Sequence, residues 1–135
     1  MTAPSPLAAS ALVALGGAVG SLARWQAGRG MTRLLGPASV AAFPWATLAV
    51  IVAGSLAIGL LAGWLARHGD TSETWRLLVG VGLLGGFTTF SAFSLELMML
   101  IERGQASTAF IYAAISLLAG LSALYIGLIA MRVTA

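Results

Sequence analysis

Gly85-Gly86-Phe87-Thr88-Thr89-Phe90-Ser91-Ala92-Phe93-Ser94 lies inside an apolar run long enough to cross a membrane, yet it is poor material for the helix that such a run implies. Glycine costs about 1 kcal/mol against alanine in a helix interior, and threonine loses rotamer freedom there. A break here leaves N–H and C=O groups unpaired at membrane depth. That is tolerated only where the backbone is buried in protein or lines a polar cavity. The stretch therefore reads as a site on backbone grounds alone.

The surrounding chain sets the environment. Its 135 residues are 59% hydrophobic and 8% charged, with mean hydropathy +0.98, whereas soluble domains are nearer one quarter charged. Cysteine is absent, which removes disulfides and thiolate chemistry. The pI near 10.7 comes from seven basic residues, all arginine, which stand at the ends of apolar runs. That placement marks membrane boundaries and makes a lipid bilayer, not nucleic acid, the expected partner. Met1 to Pro6 carries no positive side chain, so the first apolar run is read as a permanent span and not a secretory leader.

Four runs reach the roughly 20 residues needed to cross a bilayer. They cover about residues 7–25, 45–66, 75–101 and 107–131, the third with the break inside it. The expected fold is an all-α membrane protein, one domain of four transmembrane helices over residues 1–135. Asp70, Ser72 and Glu73 look like a cap for the third span. Trp25, Trp45, Trp64 and Trp75 stand at span ends, as an aromatic belt requires. The connection from Ala27 to Phe43 is the longest and has room for a short interfacial helix.

Orientation is informative because the charge bias nearly cancels. The side holding both termini carries Arg67, Arg76 and Arg132, and the other carries Arg24, Arg29, Arg33 and Arg103. Three against four gives the positive-inside rule little to act on. The expectation is a dual-topology protein whose copies pair antiparallel.

Small residues recur at four-residue spacing: Gly16 and Gly20, Ser55, Gly59 and Gly63, Gly82 and Gly86, Ser116 and Gly120. Lipid removes the hydrophobic drive for helix association, so close backbone approach at such faces supplies packing energy instead. Packing is a sufficient reason for most of the glycines.

Catalytic chemistry is poorly supplied. His68 stands alone beside Asp70, in a segment read as solvated. Spans 1, 2 and 4 hold no acid, and Glu96 sits toward the end of span 3, where a helix-end carboxylate is the plain reading. An enzyme is not expected. Uncharged hydroxyls and aromatic edges remain, which suit an anion better than a cation or proton. Phe90 and Phe93 share one helical face, and ring edges carry positive potential. For an isolated Phe pair, ordinary packing is the commoner explanation.

Taken as far as Glu96, the opening stretch closely resembles the signature G-G-x-T-T-F-S-T-F-S-x-E of the small bacterial fluoride channels, the Fluc or CrcB family. Gly17 to Trp25 resembles that family's G-x-x-G-x-x-x-R-[WY], and Thr47 to Ser55 its T-L-x-V-N-x-x-G-S. The resemblance implies a multi-pass protein of the bacterial inner membrane that exports fluoride passively through the pores of an antiparallel dimer. It implies a structural sodium ion at the dimer centre, held by the carbonyls of Gly85 and Thr88 from both chains. It places Phe90, Phe93, Thr89, Ser91, Tyr112 and Ser116 at the pore, and Arg24 at a vestibule.

Two positions depart from the pattern. Ala92 replaces a threonine, and Ile51 stands where the second-span pattern has asparagine. A donor lost from a dry slot costs about 1–3 kcal/mol. Ile51 leaves open a pore that uses other donors, an engineered substitution, or a chain that needs a paralogous partner and does not conduct alone. A small dual-topology multidrug exporter is a further alternative, but it would need an acid in span 1.

Overall fold

The computed structural model describes residues 4–68 and 73–133. The expected caps Asp70 and Ser72 lie outside the described residues, as do the side chain of His68 and its neighbour Asp70. Four helices are long and apolar enough to cross a membrane: Pro6–Leu35, Trp45–Arg67, Glu73–Glu102 and Ala106–Val133. The four expected spans are therefore present, with the third interrupted.

Helix α1 (Pro6–Leu35) starts at Ser5, whose side chain accepts from the Ala8 N–H, with proline in the first turn. It does not stop at Trp25, where the sequence reading closed the first span. No proline follows until Pro37, and the extension is tied locally. The Thr32 hydroxyl donates to the Gly28 carbonyl at 3.0 Å, and the Arg29 guanidinium lies 4.8 Å from the centre of the Trp25 ring. Gly36 ends the helix at φ +82°, donating its N–H to the Thr32 carbonyl. At 1.5 Å per residue, 30 residues span about 45 Å, well beyond a hydrocarbon core of about 30 Å. Most of the expected connection from Ala27 to Phe43 is thus helix: the end of α1, then α2 (Pro37–Ala42), the short helix for which room was expected. Helix α3 (Trp45–His68) follows.

The third span is built in pieces. Helix α4 (Glu73–Trp75) runs into a π-helical segment (Arg76–Leu84), then α5 (Gly85–Phe87). After two extended residues, α6 (Phe90–Glu102) resumes. The π segment was not anticipated, and nothing in Arg76–Leu84 distinguishes it from an ordinary helix by pattern. Helix α7 (Ala106–Val133) comes after a tight turn in which Gly104 takes φ +73°. There the Gln105 N–H reaches back to the Leu100 carbonyl at 2.9 Å, a glycine-based helix stop.

The helices assemble as two close pairs: α3 with α7, and α1 with the first half of span 3. Glycine makes both possible. A Cβ on Gly20 would meet the Leu83 carbonyl oxygen, and one on Gly86 would stand 2.6 Å from the Gly17 carbonyl oxygen. Across the other pair, a Cβ on Gly59 would meet the Leu124 carbonyl oxygen, and one on Gly127 the Leu56 carbonyl oxygen. The expected small faces at Gly16, Gly20, Gly59, Gly82 and Gly86 are real contacts; Gly127 joins them without having been singled out. Between α6 and α7, a small core forms from Leu100, Ala109 and Tyr112, with Phe43, Leu48, Phe93 and Leu97 against it.

Candidate functional site

The break falls on Thr88 and Thr89, and both glycines before it stay helical. Thr88 is extended (φ −94°, ψ 145°), as is Thr89 (φ −150°, ψ 128°). The Thr88 N–H and hydroxyl both donate to the Leu84 carbonyl, at 2.9 and 2.8 Å. The carbonyls of Gly85, Gly86 and Phe87 therefore have no helical successor to accept from. On the far side, Thr89 precedes α6 without a side-chain cap; its hydroxyl lies 2.9 Å from that of Ser91. The first N–H groups of α6 are left without intrahelical acceptors, and they form the positive end of a 13-residue helix.

That helix end borders a cleft of about 480 Å³ lined by Ile51, Ser55 and Ile58 of α3, Thr88, Thr89, Phe90 and Phe93 of span 3, and Ala113, Ser116 and Leu117 of α7. Among these lining residues there is no ionisable side chain. The Ser116 hydroxyl is buried and has no hydrogen-bond partner. Phe90 and Phe93 lie with ring centres 5.8 Å apart, but their settings differ. Phe90 is 80% exposed. Phe93 packs 5.1 Å from the ring of Tyr112, which is fully buried.

A second cavity of about 200 Å³ lies alongside, lined by Arg24 and Gly28 of α1, Ala46, Thr47, Val50 and Ile51 of α3, and Thr89, Ala92 and Glu96 of span 3. Arg24 is half-buried here, with its Nε unpartnered. Glu96 is the residue that sequence reasoning undervalued. It is not a solvated helix-end carboxylate: Thr47 donates to Oε1 and the Tyr112 hydroxyl to Oε2, each at 2.7 Å. The carboxyl group thereby joins α3, α6 and α7. The signal was present, because Glu96 closes the third-span motif, but spacing alone does not reveal that donors from two other helices converge on it.

Of the residues singled out from sequence, Thr88, Thr89, Phe90, Phe93, Ser116 and Ile51 meet in the cleft, and Arg24 reaches the adjoining cavity. Tyr112 borders them through Phe93 and Glu96. Ser91 is exposed and lines neither cavity, touching the site through Thr89. Gly85 is also exposed and stands apart from the cleft.

Comparison with known proteins bears directly on this arrangement. Residues 11–128 match the family model described as CrcB-like protein, Camphor Resistance (CrcB). A relative from Novosphingobium aromaticivorans, named fluoride-specific ion channel FluC, is 53% identical over 126 residues, 93% of this chain and 98% of its own length. Like-named relatives are 49% identical over the whole of both chains in Erythrobacter litoralis and 50% identical over 122 residues in Caulobacter vibrioides. The chain belongs to the CrcB family. With four membrane-crossing helices and bacterial relatives, this CrcB protein is a multi-pass protein of the bacterial inner membrane. The family match takes in the helix break and both cavities, since their lining residues all fall between positions 11 and 128.

Proposed function

We propose that this CrcB protein is a passive fluoride channel whose pathway runs through the cleft at the helix break. The observation that carries the reading is the cleft's donor set. The uncapped start of α6, the hydroxyls of Ser55 and the unpartnered Ser116, and the edges of two phenyl rings offer positive potential, with no carboxylate on the wall. Such a wall accepts a small anion and repels a cation. Arg24 raises anion concentration at the neighbouring cavity, where the Glu96 oxygens are already engaged by Thr47 and Tyr112. No coupling acid lies within α1, which runs Pro6–Leu35 without Asp or Glu, so conduction down the electrochemical gradient fits better than proton-coupled export and better than enzymatic turnover.

The channel works as two inverted copies around a structural sodium ion. The donor set at the break fits a hard cation, since it consists of carbonyl oxygens at the C-terminal, negative end of the helix that closes at Phe87. Gly85 supports the same arrangement. A Cβ there would meet only the Gly80 carbonyl oxygen, at 3.8 Å, so nothing within this chain requires glycine at an exposed position. Close approach of a second copy supplies a reason. Gly85 and Thr88 would hold the ion, which would fix the two broken helices against each other. Each copy alone offers too few oxygens, whereas paired carbonyls from two breaks approach a full shell.

Expression in a fluoride-sensitive bacterial strain lacking its own exporter tests the reading. Growth at otherwise toxic fluoride is expected. No rescue by this chain alone, together with rescue when a paralogous chain is co-expressed, would favour the partner-dependent subunit instead. Topology reporters on the C-terminus test the inverted pairing, which a single uniform orientation would contradict.

A further inference from the structure

Three cavities of this chain share walls in series. The outermost, about 670 Å³, lies at the extended end of α1 and includes Arg24, Gly28, Arg29 and Arg33. The second contains Arg24 and Gly28 again, together with Thr47, Ile51, Thr89 and Glu96. The third is the cleft at the helix break, to which Ile51 and Thr89 also belong. The outer two thus adjoin at Arg24 and Gly28, and the inner two at Ile51 and Thr89. Polar groups are present on both sides of the second junction. Thr47, Arg24 and Glu96 stand on one side, and Ser55 and the unpartnered Ser116 on the other. At the junction itself, the Thr89 hydroxyl is engaged with Ser91 at 2.9 Å. The Ile51 side chain offers only hydrocarbon.

We propose that Ile51 is a dry constriction between the arginine-bordered cavity and the aromatic cleft, and that its apolarity, more than its bulk, sets the rate at which an anion passes. This rests on the anion-channel reading given above. A small anion must leave its water to cross a surface that returns no hydrogen bond, and hydrophobic constrictions in channels close by dewetting. Ile51 is held firmly in place. It belongs to α3, which is locked to α7 through Gly59 and Gly127, and its Cγ2 is so close to Gly120 that a Cβ there would stand 3.2 Å away. Val50 beside it is 4% exposed. One side of the Ile51 side chain is thus backed by α7, and the rest faces the two cavities.

The test separates polarity from size. Ile51→Thr and Ile51→Val leave nearly the same shape and differ by a hydroxyl in place of a methyl. Both are reconstituted beside the parent chain in liposomes loaded with potassium fluoride, and efflux is read with a fluoride electrode. The I51T chain is expected to pass fluoride about tenfold faster than I51V, the rate equivalent of one hydrogen bond. Equal rates in a conducting background overturn the constriction and leave the channel reading intact. Absence of efflux from the parent and both variants overturns the channel reading, and the constriction with it. Should I51T fail to assemble, Ile51→Ser against Ile51→Ala repeats the comparison with the same expected order.

Discussion

The two halves of the third span belong to one apolar run but are held in different ways. The first half, Glu73 to Phe87, is joined backbone to backbone with α1. Gly16, Gly20, Gly82 and Gly86 leave no room for side chains there, and main-chain oxygens of one helix press on the glycines of the other. The second half, Phe90–Glu102, touches its neighbours through side chains: Phe93 on Tyr112, Leu100 in the small core, and Glu96 bridging Thr47 and Tyr112. Its other face is open, with Phe90, Leu95 and Met98 exposed. One half is scaffold, fixed by contacts that tolerate no change. The other presents the rings of Phe90 and Phe93 to a cleft, where substitution alters function before it alters assembly. The two extended threonines allow a single span to serve both purposes.

The sharpest break in the comparison is on the scaffold side. Gly20→Val would press a branched side chain onto the Leu83 carbonyl oxygen, with the Phe87 amide 2.8 Å from its Cβ. Backbone cannot yield as a side chain can, so a loss of about 3 kcal/mol, or of assembled protein altogether, is expected in thermal unfolding in detergent. Gly28→Val is the control on the same helix. Nothing lies within 4 Å of its Cβ, and a change within about 0.5 kcal/mol is expected.

A smaller effect is expected at the bridge of the second half. Glu96→Gln keeps the shape but turns an amide donor toward the hydroxyl of Thr47 or Tyr112. The expected destabilisation is about 1–3 kcal/mol, read as a lowered unfolding temperature. Combined with Tyr112→Phe, the two effects should be clearly non-additive, because the groups share one hydrogen bond. Additive losses would mean that the bridge does not hold α6 to α7.

Much of this division was legible in the sequence. Four spans, the aromatic belt, the small faces and the interruption of the third span all follow from hydropathy and from Gly and Thr placement. The extension of α1 to Leu35 was not, because Arg24 and Trp25 look like a boundary whether or not the helix continues past the membrane. The π-helical turn had no signal, since its residues are ordinary helix formers flanking Gly80 and Gly82. Within Gly85 to Ser94 the glycines were expected to share in the break. In the fold they stay helical, Gly86 facing α1 and Gly85 exposed, and the threonines alone interrupt the helix. Glu96 was visible as a letter in a motif, but its partners Thr47 and Tyr112 are 49 and 16 residues away in sequence, and only the assembled fold brings them together.

The least disruptive probe of the open face is Phe90→Ala. Because Phe90 is 80% exposed, the stability of the single chain, read by thermal unfolding, is expected to stay within about 0.5 kcal/mol of the parent's. Fluoride flux, by contrast, is expected to fall. A loss of stability with unchanged flux would assign Phe90 to packing and erase the distinction between the two halves.

The central claim is that this chain conducts fluoride and rejects larger anions. Purified protein in liposomes, loaded in parallel with potassium fluoride or potassium chloride and triggered by a potassium ionophore, tests it directly. Rapid fluoride efflux with chloride retained is the predicted result. Chloride leaving as fast as fluoride, or fluoride held as tightly as in protein-free liposomes, would contradict it.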